Sequence, residues 1–167
     1  MRAPFLLRGS GLAALLLVAL LLMAGCGFHL QGRVALPRAL ANARIEASDQ
    51  QSDFYSALRA ALYAAGARLD GPTADAATIR ILEDNSAERI LTVSARNTPT
   101  AFLLSYRVKV AVEYQGRELL AAEEHTLTQD YSFDETQLLA KQRESDALRQ
   151  ALASDLVALV MHRLAAL

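Results

Sequence analysis

Apolar and polar residues alternate without a break along one stretch of the chain: Leu104, Tyr106, Val108, Val110, Val112 and Tyr114 are interleaved with Ser105, Arg107, Lys109, Ala111 and Glu113. Successive side chains of a strand point to opposite faces, so this pattern predicts a strand with one face for a core and one for water. Gln115-Gly116-Arg117 supplies a tight turn, and residues 119–133, with weaker alternation, are expected to return as the second arm of an antiparallel hairpin. Upstream, residues 78–93 read as extended, with Asp84-Asn85-Ser86 either bulging the strand or dividing it in two. Arg96-Asn97-Thr98-Pro99 then forms the turn into the alternating strand, and Ala43-Arg44-Ile45-Glu46-Ala47 is a short first strand.

Two segments carry helical spacing instead. Phe54, Leu58, Ala61, Leu62 and Ala65 fall on one face after a cap at Ser52 or Asp53, and Gly66 is placed to end that helix in a left-handed turn. Gly71-Pro72 is a turn. Asp134 with Gln137 three residues on is an N-terminal capping signature, opening a last helix to about Leu164 with an apolar stripe of Leu148, Leu152, Leu156, Leu159 and Val160. The order strand, helix, strands, hairpin, helix predicts an α+β fold. Two helices pack on one face of a mostly antiparallel, mixed sheet of about four strands, and parallel pairing of the first strand is an open option.

The first residues have a different organisation. Arg2 and Arg8 precede an apolar run from Leu12 to Met23, and the small pair Ala24-Gly25 stands directly before Cys26. This is the layout of a secretory signal peptide, and the uninterrupted run falls short of the ~20 apolar residues that a membrane-spanning helix needs. Leu22-Met23-Ala24-Gly25-Cys26 resembles the lipobox of lipoprotein signal peptidase, with Met23 departing from the usual Leu. Residues 1–25 are therefore expected to be cleaved, leaving a lipidated Cys26, a short tether over 26–37 interrupted by Gly32 and Pro37, and one domain over 38–167. Two or more acyl chains anchor stably where one does not, because each buried methylene adds about 0.8 kcal/mol. Gly27 in place of Asp after the cysteine points to outward sorting, so the expected address is the outer membrane, lipid-anchored on its periplasmic side.

Charge and composition narrow the function. Loss of Arg2 and Arg8 takes the formal net charge from −1 to −3, against the clustered basic surface of a nucleic-acid protein. Cys26 is the only cysteine and the lipid consumes its sulfur, which leaves no disulfide, thiol catalysis or cysteine-metal site. His29, His125 and His162 lack a second ligand at metal-binding spacing, so no cofactor beyond the covalent lipid is expected. The one Gly-Ser-Gly, at residues 9–11, lies in the signal peptide and is no nucleophile elbow. Glu123-Glu124 is no acid/base dyad either, since neighbours on a strand face opposite ways. Two basic features remain, Arg96 in its turn and Lys141-Gln142-Arg143 early in the last helix; a solvated surface is the default for both.

A resemblance adds to these readings. Cys26-Gly27-Phe28-His29-Leu30-Gln31-Gly32 resembles the opening of LptE proteins, the lipoprotein subunits of the outer-membrane lipopolysaccharide translocon. Asp130-Tyr131-Ser132-Phe133-Asp134, Leu139-Ala140-Lys141 and the positions Glu144, Leu148, Asp155-Leu156 and Arg163-Leu164 look like the last strand and helix of the same family. The resemblance covers essentially the whole mature chain. It implies a noncatalytic plug inside an LptD-like β-barrel, in a 1:1 complex, needed for barrel assembly and for delivering lipopolysaccharide to the cell surface. It also implies lipopolysaccharide binding by basic side chains at the positions of Arg96 and Lys141, with Arg89, Arg107 and Lys109 as further candidates if they share a face with Arg96. Arg can grip a phosphate in a fork, whereas Lys acts as a point charge, and Glu144 and Asp146 are carboxylates able to neutralise the site.

Two other functional classes stay in view. An accessory or pilot lipoprotein of another outer-membrane assembly, without lipopolysaccharide binding, would share the anchor and fold. A small envelope hydrolase would require a Ser or Asp beside a His in a cleft.

Overall fold

The computed structural model describes residues 35–69, 75–132 and 138–167. The cleavage site, Cys26, most of the tether, Gly71-Pro72 and the Asp134/Gln137 capping signature lie outside them. A 3-10 turn at Arg38–Leu40 leads into β1 (Ala43–Ala47), then α1 (Asp53–Ala64), β2 (Ala77–Val93), β3 (Pro99–Tyr114), β4 (Arg117–Ser132) and α2 (Leu138–Ala165). The sheet order is β1-β2-β3-β4. β1 runs parallel to β2, with Ala43 opposite Ala77 and Ala47 opposite Ile81, while β2–β3 and β3–β4 are antiparallel. The expected α+β fold and its mixed sheet are what the chain adopts.

Local chemistry accounts for the elements. Ser52 caps α1 by accepting a hydrogen bond from the Tyr55 N–H at 3.0 Å, satisfying one of the donors that a helix N-terminus leaves open. Gly66, at φ +91°, ends the helix: its N–H donates to Tyr63 O and the Ala67 N–H to Leu62 O, the paired bonds of a Schellman turn. Gln115 and Gly116 both take positive φ (51° and 72°) between the paired residues Tyr114 and Arg117. That backbone follows the right-handed twist of the strands it joins.

β3 is the central strand of the hairpin pair, and its pattern decides the rest. Phe102, Leu104, Tyr106, Val108, Val110 and Val112 are all buried. They join Phe54, Leu58 and Leu62 of α1 and Leu152, Leu156, Val160 and Leu164 of α2 in one hydrophobic core. The opposite face is polar and laced with ion pairs: Arg44–Glu46 (2.7 Å), Arg80–Glu113 (2.7 Å), Arg107–Glu124 (3.4 Å) and Lys109–Glu83 (3.7 Å). These side chains are one-third to one-half exposed, so each pair contributes roughly 0–1 kcal/mol and the face is balanced in charge rather than strongly held.

Three details differ from the pattern-based expectation. Residues 77–93 form one strand, and its irregularities sit between Ile81 and Glu83 and between Ile90 and Val93, not at Asp84-Asn85-Ser86. Asp84 keeps its place in the ladder because its carboxylate is satisfied by Tyr106 and Ser52. Leu159 is 45% exposed and outside the α2 stripe, because Ala153, Val157 and Met161 are buried and move the stripe's centre away from it. The return strand spans Arg117–Ser132 instead of beginning at Leu119, since the turn needs only two residues.

Two stability measurements follow. Phe54→Ala is expected to cost about 3–5 kcal/mol and Leu156→Ala about 2–5 kcal/mol in denaturant unfolding, from lost burial plus the cavity left behind. Leu159→Ala should stay within about 0.5 kcal/mol; a loss as large as that of Leu156→Ala would show that α2 is rotated from the placement described.

Candidate functional site

Ser94 builds the β2–β3 turn. Its N–H donates to the Thr98 carbonyl at 2.7 Å, its carbonyl accepts from the Asn97 N–H at 2.9 Å, and its hydroxyl accepts from the N–H groups of Arg96 and Thr98 at 3.3 Å each. Asn97 takes φ +62°, a left-handed conformation that Asn tolerates better than most residues. Arg96 is thereby carried at the tip of the hairpin with its side chain exposed, and among the described residues no carboxylate pairs with it.

Lys141 has a different environment. Its Nζ lies 3.5 Å from the centre of the Phe102 ring and 3.7 Å from Glu88 Oε1. The other oxygen of Glu88 accepts from the Tyr131 hydroxyl at 2.6 Å and the Ser145 hydroxyl at 3.3 Å. Phe102 and Tyr131 stack, with centroids 5.5 Å apart. Burial, and then the bond to Glu88, pushes the Tyr131 phenol up to about 12, so at neutral pH it keeps its proton and donates it. Sheet register explains the convergence: Ile90, Phe102 and Tyr131 share one row across β2, β3 and β4, with Glu88 two residues along.

This cluster holds the early part of α2 to the sheet. Between Lys141 and Asp146 the helix buries no side chain completely. A carboxylate, a phenol, a hydroxyl and a cation–π contact fasten this stretch to the sheet. One turn further on, Arg149 does similar work between the helices, at 2.7 Å from Asp53 of α1 and 3.0 Å from Asp146.

Arg96 and Lys141 thus occupy the same end of the β2–β3 hairpin. Phe102, under Lys141, is six residues from Arg96, about 20 Å if fully extended at ~3.3 Å per residue. The other basic candidates divide by face. Arg107 and Lys109 alternate with the buried residues of β3, lie on the helix-free face and pair with Glu124 and Glu83. Arg89, opposite Leu103, falls on that same face. None of the three joins Lys141. Among the described residues Glu88, not Glu144 or Asp146, is the carboxylate that meets Lys141, and no local pattern signals it because 53 residues separate the two. Only the sheet register brings them together.

A second polar cluster was not anticipated from the sequence. Asp49, Gln51, Ser52, Asp53, Asp84, Ser86, Tyr106 and Arg149 line a depression of about 340 Å³. Its groups are mutually satisfied: the Tyr106 hydroxyl donates to Asp84 at 2.9 Å and accepts from the Phe54 N–H, and the Ser52 hydroxyl donates to Asp84. Burial first, and the bond to Asp84 second, raise the Tyr106 phenol well above its usual range, so it holds its proton. Its hydroxyl and that of Ser52 are tied to a carboxylate with no His beside them, which is an anchor for the α1 N-terminus and not a nucleophile–base pair. Among the described residues no group of His, Cys, Asp or Glu is arranged to hold a metal, and His125 meets only Glu123, at 3.6 Å.

The chain is similar to several known proteins. LPS-assembly lipoprotein LptE from Yersinia pestis (strain Pestoides F) and from Yersinia pseudotuberculosis serotype O:1b (strain IP 31758) are each 25% identical over 148 residues, covering 87% of this chain and 71% of the relative. The solution structure of an uncharacterized lipoprotein B from Nitrosomonas europaea superposes with a TM-score of 0.68 at 26% identity, over 84% of this chain and 91% of that one. The crystal structure of rare lipoprotein B from Shewanella oneidensis, at 20% identity, shares the fold with a TM-score of 0.66, over 75% and 94% of the two chains. A family model described as LptE, lipopolysaccharide-assembly, matches residues 40–164, from the turn before β1 to the end of α2, and the chain belongs to that family.

Proposed function

We propose that the protein is a noncatalytic subunit of the lipopolysaccharide-assembly machinery that plugs an LptD-like β-barrel in a 1:1 complex and contacts lipopolysaccharide through Arg96 and Lys141. Family membership across the whole described sheet and both helices carries this reading. In this reading residues 1–25 are a cleaved signal peptide, Cys26 carries the lipid, residues 26–37 form the tether and 38–167 the domain, and the protein is held by lipid on the periplasmic side of the outer membrane.

The geometry supports each part in a distinct way. A charge-balanced, ion-paired sheet face suits the polar lumen of a large barrel. Arg96, exposed at the tip of a hydrogen-bonded turn, suits first contact with an anionic headgroup. Lys141 acts by exchange: a phosphate must take it from Glu88, and a doubly charged phosphate competes well against one carboxylate already shared with Tyr131 and Ser145. One observation favours the accessory-lipoprotein reading instead, namely that Lys141 already has partners within the fold.

Two experiments separate these readings. A mild-detergent pull-down of the full-length lipoprotein from outer membranes should bring down one large β-barrel protein at equal stoichiometry; recovery without a barrel would refute the plug. In lipopolysaccharide binding by the form lacking residues 1–26, Arg96→Asp and Lys141→Asp should each weaken affinity roughly tenfold, the scale of one charge-assisted contact. Glu88→Gln should strengthen it. Unchanged affinity in all three variants, with circular dichroism unchanged, would leave the accessory role.

A further inference from the structure

The sheet has two open edges, and they differ in kind. Among the described residues no strand pairs with the outer edge of β4, whose side chains include Glu118, Glu123, Glu124 and Asp130 and none of the exposed large hydrophobics. Charged side chains on an edge strand are the usual guard against pairing with another chain. β2 is different. β1 covers its edge only from Ala77 to Ile81, and among the described residues no strand pairs with it on that side from Leu82 to Val93.

The same unpaired segment carries Leu82, Ile90, Leu91 and Val93 at 50%, 55%, 43% and 53% exposure, four of the seven exposed large hydrophobics among the described residues. Every residue of β2 from Asn85 onward is exposed. A row of unpaired backbone N–H and C=O groups flanked by bare aliphatic side chains is what an added strand requires. Apolar clusters of this kind mark interaction surfaces.

We propose that the β2 edge from Leu82 to Val93 is a docking site for one extended strand of a partner protein, paired by backbone hydrogen bonds, with apolar side chains set against Ile90, Leu91 and Val93. Backbone groups select the class of occupant, because a ladder of alternating donors and acceptors is matched by another peptide backbone and not by acyl chains or sugars.

Among the described residues the chain supplies no second strand for this edge, since β1 enters at Ala43 beside Ala77, thirteen residues before Ile90, a span of about 43 Å at ~3.3 Å per residue. A second copy fits poorly. In the antiparallel register that sets Leu82 opposite Val93, Ile90 and Leu91 face Asn85 and Asp84; centring on Leu91 instead confines the apolar ladder to Arg89–Val93.

This surface deepens the plug reading, since the barrel protein is the partner at hand, and it rests on that reading only for the partner's identity. The test places a photo-crosslinking amino acid at Ile90, Leu91 or Val93 of the full-length lipoprotein in cells, with Thr126 and Thr128 of β4 as controls, and maps the crosslinked peptides. The expected result is capture of one short segment of one protein, with the captured residue stepping steadily as the probe moves along β2, and no capture from β4. In parallel, Ile90→Lys with Val93→Lys should cut partner recovery in the pull-down at least tenfold while circular dichroism stays unchanged. Capture of a second copy, crosslinks scattered over unrelated segments, or a barrel recovered with no crosslink from β2 would each overturn the proposal; the last leaves the plug reading standing. Stepped capture on a protein that is not a barrel, or on residues 26–34 of the chain itself, would overturn the proposal as well.

Discussion

The fold depends on burying one face of β3. Six alternate residues from Phe102 to Val112 are closed off by α1 and α2, and a shift of one residue in the pairing of β3 would turn this whole set to water. That constraint fixes the neighbouring strands in turn. Because Val110 meets Ile81 and Phe102 meets Ile90 and Tyr131, the residues between them are assigned to the open face, where Arg80, Arg107 and Lys109 find carboxylates. The polar character of that face is a consequence of the register, and the exposed ion pairs on it add little to stability.

Away from the centre the apolar packing thins, and polar contacts take over its positioning role. Arg149 ties α2 to the start of α1, and the Glu88 cluster ties it to β4 and β2. Such contacts contribute less than core burial and exchange more readily with a ligand, so the proposed headgroup contact at Lys141 is compatible with its role in positioning the helix. Local opening energies are lowest where buried apolar contacts are few, so the first turns of α2 and the far end of the β2–β3 hairpin are the parts of the molecule best able to adapt to a partner.

The two edges of the sheet show a division of labour. β4 carries acidic residues that discourage pairing, whereas the outer half of β2 combines an unpaired backbone with aliphatic side chains. In a protein of the lipopolysaccharide-assembly family, the guarded edge discourages strand pairing, and the bare edge is the one proposed for a specific partner.

The sequence by itself determined the elements and the family, because both rest on local signals. Period-two alternation marked β3, helical spacing marked α1, Gly66 and Gln115-Gly116 marked their turns, and the Phe-His-Leu opening with the Tyr-Ser-Phe-Asp segment carried the resemblance. Arg96 was legible too, as a basic residue in a turn. Tertiary structure alone decided what surrounds Lys141, since Glu88 and Phe102 meet it, with Tyr131 bonded to the one and stacked on the other, only through the pairing of three strands with a helix. It likewise decided that Asp84 is a satisfied ladder residue and that Leu159 faces water. The physical reason is the same in each case: periodicity reports which face a residue takes within its own element, and contacts between distant elements depend on register and packing that no local pattern encodes.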